Sequence, residues 1–370
     1  MSSSRIGVGV LGATGYIGKP YRDEIRGVAD ARIVALCARR RDLLEAAGKQ
    51  DGADLITDNW RDVVEHPDVD FVVVGTPDAL HYEAVLAAAA AGKHMFCEKP
   101  VGMNSDEAKE MWQAYDNAGA LAHYVPFWTR YSDIFQKLKQ IVDSGQLGEI
   151  RGVVYRWHNP RPVNMPLTWR DDPQLSAAGS IADVGSHAYD TVCWLLGMEA
   201  TRVLAHAATI TPSKADLGAI NLQEALANST EAHTEAQQRR GGTPDYAGVS
   251  WEFANGAVGT LLLSHATYFR KGIAPELELH GTDASVGINR VTGDVILGDP
   301  DCAPKLLASI PDKGFGNRFE KYVFPVVRSV RAGEIPGDHP NLKNGWRVQC
   351  FTDAVVQSAI TGGWVPVSST

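Results

Sequence analysis

The sequence contains few cysteines, and none of them has a redox or metal-binding spacing. The five cysteines are Cys37, Cys97, Cys193, Cys302 and Cys350. An odd number of widely separated cysteines without a C-x-x-C pair argues against a disulfide framework, so we expect reduced, buried thiols. The eleven histidines contain no H-x-x-x-H pair either. A catalytic metal is therefore not expected.

Positive charge is scarce and scattered along the chain. The formal net charge is -9, and no run of lysine and arginine is longer than the "ARRR" that begins at Ala38. Nucleic acids and anionic membrane surfaces are bound through concentrated positive charge. We therefore expect neither nucleic acid nor a membrane among the partners.

Long apolar segments are also missing. The longest apolar helix candidate, "AVLAAAAAG" at residues 84–92, is far too short to cross a bilayer. The apolar run "RIGVGVLG" lacks the small-residue cleavage site of a signal peptide, and the fold needs it as a first strand. A cytoplasmic location is the resulting expectation.

Residues 5 to about 100 alternate apolar strands with amphipathic helices. The predicted strands are "RIGVGVLG", "ARIVALC", "VDFVVVGTP" and "HMFCEK". Nearly continuous apolar strands separated by helices are typical of a parallel sheet that is covered on both faces. The sequence therefore predicts an α/β fold that begins with a Rossmann-type, doubly wound domain, which we place at residues 1–125.

The pattern changes in residues 126–370, where longer strands with alternating side chains follow. Examples are "EIRGVVYRWH", "TRVLAHAATI" and "AVGTLLLSHA". Asn255 and Gly256 predict a two-residue hairpin turn between two such strands, because both residue types tolerate positive φ. We expect an α+β domain closed by a helix near residues 345–361. The sequence does not decide whether the polar segment 211–244 is a helical excursion, an oligomer contact or a mobile loop.

The stretch "GVGVLGATGYIG" offers two glycine registers. Gly7 and Gly9 lie inside the apolar run and are assigned to the strand. Gly12, Gly15 and Gly18 begin where that run ends, and a helix follows them. This register predicts a turn that binds the pyrophosphate of a dinucleotide at the helix N-terminus. The candidate cofactor-binding residues here are Gly12, Ala13, Thr14, Gly15, Tyr16 and Ile17.

The end of the second strand bears on the choice of cofactor. NAD sites usually carry an acidic side chain here for the ribose 2′-hydroxyl, whereas arginine suits the 2′-phosphate of NADP. This sequence has Ala38 followed by Arg39 and Arg40. NADP is therefore favoured over NAD, with both arginines as candidate ligands. The alternative is that they form only a solvated helix start.

Two further clusters carry titratable side chains. "CEKPV" ends a strand at the carboxyl edge where such sheets bind ligands, which places Lys99 beside nicotinamide, where Glu98 can pair with it. In "DVGSHAYD", a regular helix at about 100° per residue groups Asp183, His187 and Asp190 on one face. Together with a dinucleotide turn this grouping indicates catalysis. An ordinary i, i+4 contact is the simpler alternative.

These motifs occur in a characteristic order, together with "TPDALH", "WRDD" and "NGAVGTLLLS". In that order the sequence resembles the glucose-fructose oxidoreductase / inositol dehydrogenase / MocA (Gfo/Idh/MocA) family. The resemblance implies an NAD(P)-dependent dehydrogenase of sugars, anhydrosugars or cyclitols. It also implies a second domain with a large open mixed sheet, through which a homo-oligomer, a dimer or a tetramer, would form.

The resemblance assigns roles to individual residues. Lys99 corresponds to the lysine that contacts the reacting hydroxyl and the cofactor ribose, and Asp183 to the carboxylate that orients the substrate. His187 corresponds to the histidine that transfers the proton, and imidazole suits this step because it titrates near neutral pH. This scheme needs Lys99 and His187 at the same nicotinamide ring. The family motifs add Thr76, Pro77, His81 and Glu98 to the candidate cofactor-binding residues.

Two departures from the family pattern concern binding. The glycine turn has one residue more than the commoner G-x-G-x-x-G, and Trp128 stands where an asparagine often precedes the arginine. Trp128 and Arg170 join Lys99, Asp183 and His187 as substrate-binding candidates, since aromatic faces suit the C–H surface of a sugar. A nonenzymatic NADP-binding sensor and a reductase of a non-sugar carbonyl are the alternatives.

Overall fold

The computed structural model describes residues 5–218, 220–266 and 275–368, except for the side chain of Cys302. The chain divides into two compact units. The first unit comprises Met1–Pro126, Asn221–Glu224 and Gly316–Trp346. The second unit comprises Phe127–Ile220, Ala225–Phe315 and Arg347–Thr370. Each unit is thus assembled from three separate stretches of sequence.

The described residues form seventeen strands and ten α-helices, besides five short 3-10 or π turns. The strands are β1 (Ile6–Leu11), β2 (Ala31–Cys37), β3 (Leu55–Thr57), β4 (Phe71–Val74), β5 (His94–Cys97), β6 (His123–Tyr124), β7 (Ile150–His158), β8 (Ala200–Ala208), β9 (Lys214–Ala215), β10 (Gln238–Arg239), β11 (Tyr246–Phe253), β12 (Val258–Ser264), β13 (Leu277–Gly281), β14 (Ser285–Asn289), β15 (Asp294–Asp299), β16 (Cys302–Ser309) and β17 (Val365–Pro366). The helices are α1 (Gly18–Arg26), α2 (Arg41–Asp51), α3 (Trp60–Val64), α4 (Tyr82–Ala90), α5 (Ser105–Ala118), α6 (Asp133–Asp143), α7 (Ser186–Leu196), α8 (Leu222–Ala227), α9 (Phe324–Arg331) and α10 (Leu342–Thr361).

The first unit carries a parallel sheet in the order β3-β2-β1-β4-β5-β6. Every residue of β1, β4 and β5 is buried, as expected for strands covered on both faces. Gly7 and Gly9 lie inside β1, as predicted. The strand order changes direction between β1 and β4, where open α/β sheets bind ligands. The predicted doubly wound fold is confirmed.

A segment near the end of the sequence completes the core of the first unit. The ring of Phe319 lies 5.2 Å from the rings of both Tyr21 and Phe96, measured between centroids. Phe324, the first residue of α9, lies 5.4 Å from Phe71. Aromatic rings at these distances pack favourably beyond their burial alone. The sheet of the first unit therefore shares its aromatic core with residues that follow it by about two hundred positions.

The second unit carries a mixed sheet in the order β16-β15-β14-β13-β7-β12-β11-β8-β17. The central strand β7 pairs in parallel with β12 and antiparallel with β13. Burial alternates along β11, so one face of that strand is packed and the other is more open. The short strands β9 and β10 form a separate antiparallel pair within the polar segment. The large mixed sheet implied by the family resemblance is confirmed.

The hairpin between β11 and β12 forms as predicted, but its turn differs. The Phe253 N–H donates to the Ala257 carbonyl at 2.9 Å, which leaves Ala254, Asn255 and Gly256 as a three-residue loop. Only the glycine has positive φ, at +82°. A three-residue loop of this kind needs one left-handed residue at its end, whereas the predicted two-residue turn needs two. The two-residue prediction was therefore wrong.

Most of the described cysteines are buried thiols, as predicted. Cys37, Cys97 and Cys350 are buried and Cys193 is half-buried, and all four are reduced thiols. Burial raises the pKa of Cys37 to about 11. Such a thiol stays protonated at neutral pH and is a poor nucleophile. The side chain of Cys302 lies outside the described residues.

A buried ion pair joins α7 to the short turn Trp128–Tyr131 in the second unit. Arg130 Nε donates to Asp190 Oδ2 at 2.8 Å, and its Nη2 donates to Oδ1 at 2.5 Å. The two side chains are only 7% and 2% exposed. This two-pronged geometry satisfies both groups away from water. Asp190 is therefore a structural residue of the "DVGSHAYD" segment.

Two histidines of the first unit accept main-chain hydrogen bonds through Nδ1. His94 accepts from the Ala122 N–H at 3.0 Å, and His123 accepts from the first N–H of α10 at 3.2 Å. Burial lowers the pKa of each histidine to about 4, helped by the positive charge of Arg331 near His94. Both imidazoles are therefore neutral at pH 7 in the folded protein.

We predict that acid weakens the fold between pH 6.5 and pH 4, because the folded pKa of both histidines lies below the unfolded value of 6.5. In this window the unfolded chain binds more protons, so stability falls as the pH falls. The free energy of unfolding, measured by urea denaturation, should drop by up to about 1.4 kcal/mol per pH unit for each histidine. In His94→Asn and His123→Asn the amide oxygen keeps an acceptor without titrating, and the slope should be shallower. Equal slopes in the wild type and both variants would contradict this account.

We also predict that Asp190→Asn is strongly destabilising, because it removes the buried carboxylate that neutralises the buried guanidinium of Arg130. The free energy of unfolding should decrease by about 3–5 kcal/mol. Asp143→Asn is the matched control, since its side chain is 58% exposed and its loss should cost less than about 0.5 kcal/mol. A similar loss in both variants would show that the buried pair is not responsible.

Candidate functional site

The turn between β1 and α1 follows the second glycine register. Gly12 has a φ of +78°, and a Cβ there would lie 2.4 Å from the carbonyl oxygen of Gly75. A Cβ on Gly18, the first residue of α1, would lie 2.2 Å from the carbonyl oxygen of Gly12. Neither position has room for a side chain. The turn therefore depends on glycine at both ends.

The N-terminus of α1 has the properties of an anion site. Among the described residues no side chain caps this helix, and its first turn contains no acidic residue. The first N–H groups of a helix have no carbonyl acceptor within it, and the helix dipole favours negative charge there. Together with the close backbone packing at Gly12 and Gly18, this end suits a pyrophosphate. The candidates Thr14, Gly15, Tyr16 and Ile17 directly precede the helix.

Two side chains of α1 support this region, and the sequence pattern marks neither of them. Arg22 Nε donates to the Ala13 carbonyl at 3.0 Å, and its guanidinium pairs with the fully buried carboxylate of Asp51. The Tyr21 hydroxyl donates to the carboxylate of Glu98. Glu98, which the sequence analysis expected to pair with Lys99, thus accepts a hydrogen bond from Tyr21.

The arginines after β2 meet a carboxylate from a distant segment. Both Arg39 and Arg40 are exposed. The Arg40 guanidinium forms an ion pair with Glu224 and lies 3.9 Å from the carboxylate of Asp42. Glu224 is 184 positions away in sequence but belongs to the same compact unit. The structure therefore adds the negative charge of a distant segment to that of Asp42 beside Arg40.

His81 links the loops that follow β4 and β5. Its imidazole is fully buried, with Nδ1 2.9 Å from the Pro100 carbonyl oxygen and Nε2 2.9 Å from that of Thr76. Because both ring nitrogens face main-chain carbonyls, this side chain holds the two loops in place. Pro77 lies in the first loop, and half-buried Lys99 in the second, before a cis bond to Pro100. The loop residues, including Lys99, are therefore positioned through His81.

In the second unit, the segment that carries Asp183 begins with a wider turn than predicted. Ile181–Gly185 forms a π turn, and α7 starts only at Ser186. The prediction of one regular helix was wrong here, because a π turn contains more residues than the 3.6 that periodicity assumes. Asp183 and His187 are half-buried, whereas Asp190 is buried against Arg130. The three titratable side chains therefore have different surroundings.

Asp183 is surrounded by basic side chains. Its Oδ2 accepts from Arg161 at 3.2 Å, and it lies 3.9 Å from Arg170 Nε and 3.4 Å from His265 Nε2. Burial, with the nearby positive charges adding to it, lowers the pKa of His265 to about 4, so this imidazole is neutral at pH 7. Guanidinium groups at such distances favour a charged carboxylate. Asp183 thus offers a half-buried carboxylate that can accept a hydrogen bond from a hydroxyl group.

Arg161 and His265 were not predicted, and the sheet explains why they meet. They follow β7 and β12, which are parallel neighbours. The Arg161 N–H donates to the His265 carbonyl at 2.9 Å, so the pairing continues beyond both strands. Carboxyl ends of parallel strands lie at one edge of a sheet. Knowledge of the strand register, rather than a local motif, would have identified them.

His187 lies between aromatic rings. Trp157 stacks on it with ring centroids 5.8 Å apart and an angle of 21°, and Phe127 approaches edge-on at 6.1 Å. The guanidinium of Arg290 lies 4.4 Å from the centre of the Trp157 ring and pairs with buried Glu276. Aromatic contacts from two sides fix the plane of an imidazole. His187 is thereby oriented while it stays half-buried.

The two further substrate candidates differ in their surroundings. Arg170 lies 4.4 Å above the ring of Trp169 and close to Asp183, so it belongs to the basic group just described. Trp128 is only 8% exposed, with its ring 6.3 Å from that of Tyr131. The structure thus brings Arg170 and Asp183 together within the second unit, and most of the Trp128 side chain is buried.

The described ranges contain neither a candidate metal centre nor a candidate membrane-spanning helix. No group of three or more His, Cys, Asp or Glu side chains there could hold a metal ion. No described helix combines the length and the apolar character that crossing a membrane requires.

Comparison with protein families gives two matches to one family. Residues 6–125 match the GFO/IDH/MocA model described as "Oxidoreductase family, NAD-binding Rossmann fold". Residues 135–287 match the "GFO/IDH/MocA C-terminal domain". The two matches together span more than half of the chain and follow each other in the expected order.

Individual relatives include two named dehydrogenases. Levoglucosan dehydrogenase of Pseudarthrobacter phenanthrenivorans is 28% identical over 349 residues, which is 88% of this chain and 87% of that protein. Inositol 2-dehydrogenase of Gluconacetobacter diazotrophicus is 34% identical over 196 residues, 52% of this chain and 55% of that protein.

Solved structures agree on the fold. Levoglucosan dehydrogenase in complex with NADH and L-sorbose matches with a TM-score of 0.81 and 24% identity, over 99% of both chains. Sequence motifs, architecture and family matches therefore converge, and the chain belongs to the GFO/IDH/MocA oxidoreductases, whose first domain is an NAD-binding Rossmann fold.

Proposed function

We propose that this protein transfers a hydride between a nicotinamide dinucleotide and a secondary alcohol of a sugar, anhydrosugar or cyclitol. The relatives named levoglucosan dehydrogenase and inositol 2-dehydrogenase support this substrate class. The observation that carries the proposal is the placement of Asp183 and His187 in one segment of the second unit. Both are half-buried in a segment whose other residues are mostly buried, and each is oriented by its neighbours.

The proposed reaction assigns one task to each side chain. Oxidation of a secondary alcohol releases a hydride and a proton. A bound nicotinamide would accept the hydride. The His187 imidazole takes the hydroxyl proton as general base. Lys99 donates a hydrogen bond to the same oxygen and stabilises the negative charge that develops there. Asp183 accepts from a substrate hydroxyl and favours the charged form of the imidazole, and Arg170 contributes to substrate binding.

The cofactor is proposed to lie along the first unit. The turn residues from Gly12 to Ile17 and the N-terminus of α1 would hold the pyrophosphate. Arg39 and Arg40 would bind a 2′-phosphate, which favours NADP over NAD. Thr76, Pro77 and Glu98 would line the cofactor, with His81 fixing their loops. We further propose a homo-oligomer, a dimer or a tetramer, built through the large mixed sheet.

The test of this function is a spectrophotometric screen. Reduction of NADP and NAD would be followed with inositols, aldoses and anhydrosugars as substrates. Turnover with a member of these classes supports the proposal. Tight NADPH binding without turnover of any polyol would instead support the nonenzymatic sensor, and turnover with a non-sugar carbonyl would support the reductase.

We predict that Gly12→Ala and Gly18→Ala weaken dinucleotide binding by about tenfold or more, because each Cβ would displace the turn at strain energies of about 1–3 kcal/mol. Binding would be measured as quenching of tryptophan fluorescence by NADPH. Gly363→Ala is the control, since its Cβ would meet nothing within 4 Å. Wild-type affinity in both turn variants would remove this turn from the cofactor site.

We predict that His187→Ala lowers kcat by roughly 10²-fold or more, the usual effect of losing a general base. NADPH affinity measured by fluorescence should stay near the wild-type value. His206→Ala, which removes an exposed imidazole from the same unit, should leave kcat unchanged. If His187→Ala turned over at the wild-type rate, the proton acceptor would have to be another group.

A further inference from the structure

Glu224 supplies a carboxylate to Arg40 at the end of β2, where Ala38, Arg39 and Arg40 themselves carry none. Its ion pair with Arg40 lies within the first unit, and the two side chains are 28% and 45% exposed. In dinucleotide-binding folds an acidic side chain at the end of this strand accepts from the ribose 2′-hydroxyl of NAD. In this protein that place is occupied by Ala38, Arg39 and Arg40. The acidic side chain belongs instead to the polar segment 211–244.

The orientation of Glu224 is fixed by a local motif. Asn221 Oδ1 accepts from the Glu224 N–H at 3.0 Å, and Glu224 Oε2 accepts from the Asn221 N–H at 2.9 Å. This reciprocal pair is a capping box at the start of α8. It directs the other carboxylate oxygen, Oε1, to Arg40. Leu222 and Ala225 are buried on either side, so the motif is anchored in the fold.

The ion pair is exposed enough for a ligand to compete with it. Exposed pairs contribute little to stability, so a doubly charged phosphate can exchange for the carboxylate at Arg40. Such a phosphate would then lie near Glu224, and the two negative charges would repel each other. A ribose 2′-hydroxyl has no such conflict, because it can donate to the carboxylate. Glu224 therefore opposes NADP and not NAD.

We propose that Glu224 is a specificity-determining residue that shifts the cofactor preference of this protein from NADP towards NAD. The inference rests on the proposed function, since it assumes that a nicotinamide dinucleotide binds along the first unit. The proposal also gives the polar segment 211–244 a role, because this segment places the negative charge of Glu224 beside Arg40. Arg39 and Arg40 favour NADP, and Glu224 offsets part of that preference.

The test compares the affinities for NADPH and NADH between the wild-type protein and the Glu224→Gln variant. Glutamine keeps the capping box, so the variant removes the charge and retains the local structure. Dissociation constants for NADPH and NADH would be measured by isothermal titration calorimetry at low ionic strength, where screening is weak. Glu231→Gln is the matched control, because it removes the same charge from an exposed position in the same segment.

We expect the NADPH-to-NADH affinity ratio to rise by about three- to fivefold in Glu224→Gln, the scale of an exposed charge interaction, and to stay constant in Glu231→Gln. An unchanged ratio in Glu224→Gln, or an equal rise in the control, would overturn the inference while both dinucleotides still bind. Failure of the wild-type protein to bind either dinucleotide would instead overturn the proposed function.

Discussion

Parallel strand pairing is the constraint on which the candidate functional residues of each unit depend. In the first unit, β1, β4 and β5 run side by side, so the loops that follow them share one edge of the sheet. The glycine turn, Thr76 and Lys99 all belong to those loops. In the second unit, β7 and β12 are parallel, and Arg161 and His265 meet beyond their ends at Asp183. Functional side chains that are distant in sequence are brought together by strand direction in each unit.

The features that could be predicted from the sequence are those with a local pattern. Apolar strands alternating with helices revealed the doubly wound sheet, and the end of the apolar run located Gly12 rather than Gly7 as the first residue of the turn. The features that could not be predicted involve either distant partners or irregular geometry. Glu224 reaches Arg40 across 184 positions, and periodicity cannot anticipate a π turn before α7 or the loop at Gly256.

One short segment carries two carboxylates with different surroundings. Asp190 is buried and satisfied by Arg130 through two hydrogen bonds, so its charge is used to fix the position of α7. Asp183 stays half-buried, and its Oδ2 lies 3.2 Å from Arg161, 3.4 Å from His265 and 3.9 Å from Arg170. A carboxylate with fully matched partners has little left for a ligand, whereas one with longer contacts can still bind a hydroxyl. The surroundings of each side chain, rather than its place in the motif, therefore indicate its role.

The first unit takes part of its core from Gly316–Trp346, and this affects how the chain folds during synthesis. Phe319 and Phe324 pack with Tyr21, Phe96 and Phe71, but they are synthesised roughly two hundred residues after the sheet. Until they emerge, the nascent sheet exposes aromatic surface that has no native cover. A gene fragment cut after Pro126 would carry the same defect permanently. The dinucleotide-binding unit is therefore a product of the complete chain, and its final packing must follow translation of the C-terminal segment.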